Sequence, residues 1–226
     1  MHDTAMKHGK LFFDAYVKKA ANLTIVDIGA LDVNGSLRSV APADNKYVGV
    51  DFANGRGVDV LITDPYKLPF KKDSVDVVVS SSCFEHSEFF WLSFNEIQRI
   101  LKPSGLLYLN APSNGPFHKF PVDCYRFYPD SGIALQNWAR KSGYKTTMLE
   151  SFIGKQDRGM WNDFVGVFVK DGKFASKYPS RIQDNYSNYT NGLRLGSTDY
   201  TNYSEKTEDQ KFDLAKRITG LFRKNI

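Results

Sequence analysis

Leu23-Thr24-Ile25-Val26-Asp27-Ile28-Gly29-Ala30 is a short apolar run that ends in an acidic residue and a turn containing glycine. The run predicts a buried strand, and the glycine predicts a sharp turn at its carboxyl end. Continuous apolar residues, rather than an alternation of apolar and polar ones, are typical of strands covered on both faces, as in a parallel sheet. The segment therefore predicts the first strand of an open α/β sheet.

Further apolar runs predict six more strands: Tyr47–Phe52, Asp59–Thr63, Val75–Ser80, Leu106–Asn110, Lys145–Ser151 and Asp163–Val169. Helical periodicity predicts helices over Leu11–Ala21, Phe89–Leu101 and Ser131–Ser142. Because no helical segment separates the last two strands, we expect them to pair as an antiparallel hairpin. The predicted fold class is α/β, a Rossmann-like doubly wound sheet of seven strands, mostly parallel, with a C-terminal antiparallel hairpin.

The composition changes after Asp171-Gly172. Residues 176–204 are rich in Tyr, Asn, Ser and Gly and have no sustained period, which predicts a long ordered loop or a partly mobile tail. Helical spacing returns over Glu205–Lys224. We therefore predict a ligand-binding domain over residues 1–172 and a polar extension over residues 173–226. The extension would end in an amphipathic helix, a candidate surface for homo-oligomer formation.

Composition and charge argue against several classes of protein. A chain of 226 residues with 42% hydrophobic residues can bury a core of its own. Its net charge of +5 is mild, and the Lys and Arg residues are spread along the chain, so nucleic acid is not an expected partner. Two cysteines, Cys83 and Cys124, make no disulfide framework, which favours a cytoplasmic location. No apolar run approaches the ~20 residues of a membrane span, so no membrane association is expected.

Two acidic residues end the first two predicted strands, Asp27 and Asp51, and their spacing of 51 − 27 = 24 residues is close to the ~20 of one βαβ step. Asp51 can accept hydrogen bonds from ribose hydroxyls, and Phe52 can lie against an adenine ring. Asp27 can attract a cationic amino group, directly or through water. Gly29 and Ala30 form a turn whose backbone, together with the N-terminus of a following helix, can approach a carboxylate.

The next two strands also end in polar residues. Asp64, after the third strand, can accept a hydrogen bond from an adenine amino group, although an acidic residue before a proline is often only a turn residue. The fourth strand leads into Ser80-Ser81-Ser82-Cys83-Phe84-Glu85-His86, at the topological switch point where open α/β sheets bind ligands. Ser81 is a candidate cofactor contact. His86 is a candidate base, with a structural role in capping a helix as the favoured alternative.

In this order and spacing the motifs resemble those of class I S-adenosylmethionine (SAM)-dependent methyltransferases of the methyltransferase type 11 kind. The matching pieces are Val-Asp-Ile-Gly, Val-Gly-Val-Asp, Leu-Pro-Phe followed by Asp-Ser-Val-Asp, Phe-Glu-His, and Glu96-Ile-Gln-Arg-Ile-Leu-Lys-Pro-Ser-Gly105. They span roughly residues 23–169, and the resemblance implies SAM as the cofactor. An NAD site is disfavoured because Gly-x-Gly-x-x-Gly is absent from the first turn.

The first turn departs from the pattern of this family. The family loop commonly reads Asp-x-Gly-x-Gly-x-Gly, whereas Leu31 stands at the second glycine position here. We expect Asn34 and Gly35 to close the turn instead.

The loop after the fifth strand, Ala111–Pro129, carries the candidate acceptor site. His118 could take a hydroxyl proton, Asp123 could orient His118 or act as the base, and Arg126 offers a planar fork for a carboxylate or phosphate. The string Val-Asp-Cys-Tyr-Arg-Phe-Tyr-Pro resembles methyltransferases from polysaccharide and surface-glycan biosynthesis. The alternative is that the aromatic residues anchor the next helix and that Arg126 simply pairs with Asp123.

Methyl transfer mainly requires positioning of the acceptor, so no universal catalytic motif is expected. The absence of an Asn/Asp-Pro-Pro-Tyr string argues against methylation of amino groups of bases or glutamine. We therefore expect an O-methyltransferase that acts on a small anionic or glycan-type acceptor, and we predict no metal ligands. Two alternatives stay open: a non-catalytic SAM-binding or partner-binding protein of the same fold, and a nucleic-acid methyltransferase.

Overall fold

The computed structural model describes residues 2–209 of the chain. Three α-helices occur in this part: α1 (Asp3–Phe12), which continues as a π-helical turn over Phe13–Val17, α2 (Phe90–Ile100) and α3 (Ser131–Lys141). The eight strands are β1 (Thr24–Ile28), β2 (Lys46–Asp51), β3 (Val60–Leu61), β4 (Val75–Ser81), β5 (Leu101–Pro112), β6 (Thr147–Gly154), β7 (Asp163–Val169) and β8 (Tyr189–Arg194).

All eight strands form one sheet in the order β3-β2-β1-β4-β5-β7-β6-β8. The first five strands pair in parallel, whereas β7 is antiparallel to both β5 and β6. The predicted doubly wound α/β sheet and its C-terminal antiparallel hairpin are therefore confirmed, and β8 is an eighth strand that was not predicted. The chain reverses its direction across the sheet between β1 and β4, and that is the position at which the cofactor residues were expected.

Different segments cover the two faces of the sheet. Helices α2 and α3 pack on one face, where Phe94, Ile97 and Leu135 join the buried side chains of β4 and β5. Helix α1 and its π-helical turn pack on the other face together with residues that follow β7, such as Ile182. Apolar residues of the parallel strands are buried on both sides, in agreement with their continuous apolar sequence.

The connection from β1 to β2 is a loop with a single short 3-10 helix (Leu37–Ser39), so the helix that was expected after Gly29 is not formed there. The local sequence explains the difference. Asp32 accepts a hydrogen bond from the Gly35 backbone N–H at 2.8 Å and pairs with Arg56, and Gly35 has a φ of 123°. These contacts stabilise a turn where a first helical turn would have to begin.

Residues 176–204 differ from the prediction of a long loop or tail, because they contain β8, which pairs with β6 in antiparallel orientation. Only Tyr189 and Leu193 of β8 are well buried among the apolar side chains, and Asn191 has a left-handed φ of 50°. So short and irregular a strand gives no clear period in the sequence. The division of the chain at residue 172 remains a prediction, and the predicted helix Glu205–Lys224 lies almost wholly outside the described residues.

Within residues 2–209, no helix has both the length and the apolar character that a membrane crossing requires. Cys83 and Cys124 are both free thiols.

Candidate functional site

A cavity of about 470 Å³ lies along the edge of the sheet where the parallel strands end. This volume falls within the ~300–1,000 Å³ that is usual for cofactor and small-molecule sites. The cavity extends from the β3 side, with Ile62 and Tyr66, past the ends of β2, β1 and β4 to Trp161, just before β7. It occupies the position at which a doubly wound sheet binds ligands.

Asp51 is the predicted cofactor residue that is best placed. It ends β2, is largely buried and lines the cavity, next to the exposed ring of Phe52. One carboxylate oxygen accepts a hydrogen bond from the Leu31 backbone N–H, and the other accepts from Ala53, both at 3.0 Å. Because each carboxylate oxygen can accept more than one hydrogen bond, Asp51 keeps capacity for the hydroxyls of a ribose.

The first turn brings Gly29 to the cavity wall but leaves Ala30 buried behind it. Gly29 has a φ of 81°, and a Cβ atom there would lie 2.7 Å from the Cys83 Sγ atom, so glycine is required both by conformation and by space. The N–H groups of Gly29 and Ala30 both donate to the Val50 carbonyl, at 3.0 and 3.2 Å. These two amides are therefore engaged within the protein, contrary to the expectation that they would meet a carboxylate.

Asp27 does not line the cavity. Its side chain is buried and accepts a hydrogen bond from the Tyr47 hydroxyl at 2.7 Å. Burial raises the pKa of Asp27 to about 6, and the Tyr47 hydrogen bond and the charge of Arg38 partly oppose that rise. A direct contact between Asp27 and a ligand amino group is thus not supported by its position.

Asp64 and Ser81 lie in different settings. Asp64 is exposed and is not part of the cavity wall; it accepts a hydrogen bond from the Tyr66 N–H at 2.8 Å, the turn contact that was considered as the alternative. Pro65 and Tyr66 line the cavity in its place. Ser81 does line the cavity, and its hydroxyl donates to Asn110 at 3.2 Å.

Three ionisable side chains meet at the wall that is formed by residues after β4 and β5. Glu85, His86 and His118 offer one atom each, and these atoms all lie within 4.8 Å of one another. Glu85 is 1% exposed, and neither of its carboxylate oxygens has a hydrogen-bond partner. Burial raises the pKa of Glu85 to about 8, whereas burial lowers the pKa of His86.

Asp123 and Arg126 bind each other and do not line this cavity. The Arg126 guanidinium donates to both carboxylate oxygens of Asp123, at 2.6 and 2.9 Å, and Asp123 also accepts from the His118 backbone N–H at 2.7 Å. The contact with Arg126 holds the pKa of Asp123 well below its usual range, which makes Asp123 a weak base. The pair was one of the two interpretations of the sequence, and its visible role is to shape the loop that carries His118.

The sequence did not single out several contributors to the cavity. Glu85 stands beside His86 in a motif that was noted, so a carboxylate just after β4 could have been recognised as a candidate. Leu31 was noted only as a departure from the family turn, and it lines the cavity next to that turn. His2 and Trp161 have no local signal, because only the folded chain brings them to the cavity. His2 reaches it by stacking on Trp161 at 5.6 Å between ring centroids and by a 2.8 Å hydrogen bond to Asp163.

Comparison with known proteins agrees with this architecture. Residues 13–109 match the family model described as a methyltransferase domain. An uncharacterized methyltransferase of Mycolicibacterium vanbaalenii is 26% identical over 182 residues, which cover 75% of this chain and 67% of the relative. An uncharacterized methyltransferase of Mycobacterium tuberculosis is 27% identical over 155 residues, which cover 63% of this chain and 60% of the relative. The chain therefore matches about two thirds or less of the length of these relatives.

Among solved structures, the fold is similar to that of a Burkholderia thailandensis 1,6-didemethyltoxoflavin-N1-methyltransferase with bound S-adenosylhomocysteine. The TM-score is 0.60 at 14% sequence identity, and the match covers 74% of this chain and 78% of that one. At this identity the similarity concerns the fold. The motifs, the strand order and the match of residues 13–109 to the methyltransferase domain together support a class I SAM-dependent methyltransferase, with S-adenosylmethionine as its cofactor.

Proposed function

We propose that this chain binds SAM in the cavity and transfers its methyl group to an oxygen of a small acceptor, of the anionic or glycan type. The observation that carries the proposal is the cavity itself, which has Asp51 at the β2 end and three ionisable side chains at the other. The first end suits a nucleoside, and the second end suits the polar atom of an acceptor.

The acceptor end has features that favour a hydroxylated, ring-shaped molecule. Phe120 and Trp161 line the cavity, and the Phe120 ring is exposed. Aromatic faces of this kind offer flat apolar surface to a sugar or aromatic ring. The two terminal nitrogens of Arg126 are already paired with Asp123, so an anionic group on the acceptor would gain those donors only by replacing that contact, while the Arg126 Nε has no partner among the described residues.

In the proposed reaction an acceptor hydroxyl oxygen attacks the methyl carbon of SAM, and the bond from carbon to sulfur breaks. The electron pair of that bond stays on sulfur, which gives neutral S-adenosylhomocysteine (SAH), and the acceptor becomes a methyl ether. The hydroxyl proton passes to the imidazole of His86 or His118 and then to water. These two side chains orient the hydroxyl and accept its proton. They need not activate the methyl group, because the sulfonium of SAM already carries an excellent leaving group, the neutral thioether.

The cofactor end is tested by exchanging two acidic residues for their amides. We expect Asp51→Asn to weaken SAH binding by roughly 1.5–3 kcal/mol, about 10- to 150-fold in Kd, because charge-assisted hydrogen bonds to the ribose are lost. Asp64→Asn is the matched control and should change Kd by less than about twofold. Isothermal titration calorimetry measures both. No heat with the wild-type protein, or equal losses in both variants, would contradict the assignment.

The acceptor end is tested by a screen for SAH formation with sugars, sugar nucleotides and hydroxylated acids. With a responding acceptor, we expect His118→Ala to lower kcat by ~10²-fold or more, the usual contribution of a positioned proton acceptor. Lys119→Ala, an exposed change in the same loop, should keep the wild-type rate. A fully active His118→Ala variant, with SAH binding intact, would place the acceptor elsewhere.

A further inference from the structure

We propose that Glu85, His86 and His118 form a binding site for a divalent first-row transition-metal ion in the wall of the cavity. No metal ligands were expected from the sequence. Within residues 2–209, these three side chains are brought together by the ends of two neighbouring parallel strands, β4 and β5. The proposal goes beyond the methyltransferase assignment, and its binding step does not depend on the identity of the acceptor.

The Glu85 carboxylate lacks the partners that a buried carboxylate requires. It is almost fully buried, and both of its oxygens are without a hydrogen bond. The nearby cation Arg126 is committed to Asp123 through two hydrogen bonds and makes none to Glu85. An ionised carboxylate in such a place is costly unless a cation or several donors compensate it, and a bound metal ion would do so.

The two imidazoles are held in the orientation that metal ligands commonly have. His86 Nδ1 lies 2.5 Å from the Val122 carbonyl oxygen, and His118 Nδ1 lies 3.2 Å from the Pro116 carbonyl oxygen. A carbonyl oxygen can only accept, so the His86 contact requires the proton on Nδ1 and leaves the Nε2 lone pair free. For His118 the shorter carbonyl contact favours the same tautomer over the 3.5 Å contact between its Nδ1 and the Arg126 Nη2 donor. In metal-bound histidines the ring nitrogen that does not bind the metal usually donates its N–H to a carbonyl or carboxylate oxygen, which holds the ring in orientation.

One pair of donor atoms is already near the spacing of metal ligands, and all three donor atoms lie within 4.8 Å of one another. The His86 Nε2 atom lies 3.6 Å from the Glu85 Oε1 atom. Ligand atoms that share one ion at about 2.0–2.2 Å lie roughly 3–3.5 Å apart, which a modest side-chain rotation reaches. The His118 side chain is 37% exposed and faces the cavity, so an ion has a path of entry.

The donor set indicates the class of ion. Two imidazole nitrogens and one carboxylate oxygen suit Zn²⁺, Mn²⁺, Fe²⁺ or Co²⁺, whereas Mg²⁺ and Ca²⁺ prefer oxygen ligands. Three protein ligands leave further coordination positions open toward the cavity. If the proposed methyl transfer holds, an acceptor oxygen could occupy such a position, which would polarise its hydroxyl and fix its direction. With the ion bound, both imidazoles are occupied, so the acidified hydroxyl would lose its proton to water instead of to His86 or His118.

The experiment titrates chelator-treated, full-length protein with Zn²⁺ by calorimetry and with Co²⁺ by absorbance of the d–d bands. We expect one ion per chain, and we expect Glu85→Gln and His118→Ala each to weaken binding at least ~10-fold, the smallest loss typical even of outer contacts around a metal. Glu85→Gln keeps the size of the side chain. A fall in the melting temperature of its metal-free form would show a structural role and overturn the proposal.

His2→Asn is the control, because His2 is the other histidine on the cavity wall and lies near the start of the chain. It should bind Zn²⁺ as the wild-type protein does. Loss of binding in His2→Asn alone would reveal adventitious binding near the chain terminus and would overturn the site. SAH binding of the wild-type protein is measured in parallel. Intact SAH binding without metal binding therefore defeats only this inference.

Discussion

At the scale of single residues, Asp27 shows that a motif residue can lie where the sequence predicts it and still differ in role from the expected one. The sequence places it at the end of the first strand, and the structure confirms that place, but its carboxylate contacts Tyr47 and not the cavity. Its buried charge costs stability at neutral pH, because the pKa of the folded-state carboxyl is raised to about 6 by burial. That cost can be measured.

We expect Asp27→Asn to raise the free energy of unfolding at pH 7 by up to ~3 kcal/mol, since a rise of about two pKa units corresponds to that amount. In the wild-type protein the folded state takes up the proton first as pH falls through 6. Stability from this group is thus gained on acidification and is fully present at pH 3, below the unfolded-state pKa of about 3.9. The advantage of the variant should disappear there. Urea unfolding at both values of pH measures it, and a difference independent of pH would contradict the assignment.

SAH titration of the same variant separates the two roles of Asp27. An unchanged Kd agrees with the position of the carboxylate behind the wall. A loss comparable to that of Asp51→Asn would restore the original prediction that Asp27 attracts the amino group of the cofactor.

At the scale of elements, β6 joins parts of the chain that sequence analysis treated as separate. Glu150 in β6 is fully buried and accepts hydrogen bonds from the Tyr16 hydroxyl at 2.6 Å and from the backbone N–H groups of Ile182 and Gln183 at 2.7 and 3.2 Å. One carboxylate therefore connects the segment after α1, the sheet and the segment before β8. The polar composition of residues 176–204 hid this connection, because tyrosines and short apolar pairs pack without any regular period.

We expect Glu150→Ala to lower the free energy of unfolding by about 3 kcal/mol or more, because three buried donors lose their acceptor and each costs ~1–3 kcal/mol. Glu150→Gln keeps one acceptor oxygen and should lose clearly less. Denaturant unfolding of both variants provides the comparison. A loss below ~1 kcal/mol for Glu150→Ala would show that residues 173–209 contribute little to the stability of the sheet.

The elements that were predictable are those with a strong local signal. The apolar runs of β1, β2 and β4 and the periodicity of α2 and α3 fixed the parallel half of the sheet and the edge at which the cavity lies. The prediction of a helix after β1 was wrong, because the contacts of Asp32 stabilise a turn at the position where the family pattern has a helix. Asp51 was found from its position at a strand end, whereas Trp161 owes its place to a hairpin distant in sequence.

At the scale of the whole molecule, the cavity is lined by residues that range along the chain from His2 to Trp161. A bound ligand therefore contacts several segments that are distant in sequence. Trp161 lies between the rings of His2 and His118, at 5.6 and 5.1 Å between centroids. Trp91 and Trp138 are in contact with each other in a separate groove, where the Trp138 indole donates to the Trp91 carbonyl. One tryptophan of the three in the chain therefore reports on the cavity.

We expect SAH to change the tryptophan fluorescence in a saturable way, because the ligand alters the surroundings of the Trp161 indole. Trp161→Phe should abolish most of this change, and Trp138→Phe should preserve it. Fluorescence titration, with calorimetry to confirm that both variants still bind SAH, provides the measurement. A response that persists in Trp161→Phe would mean that the ligand acts on the groove of Trp91 and Trp138 instead.

The two borders of the sheet have a consequence for how copies of this chain can meet. On one side β3 has only two residues, and on the other side the outer edge of β8 is kinked at Asn191 and is closed by paired hydrogen bonds between Gly192 and Thr201. Short, bent or covered borders offer few free backbone groups to a strand from outside. In the described part of the chain, the sheet edges therefore leave few free backbone N–H and C=O groups for strand exchange or edge-to-edge aggregation. Contacts between copies there would be made by side chains.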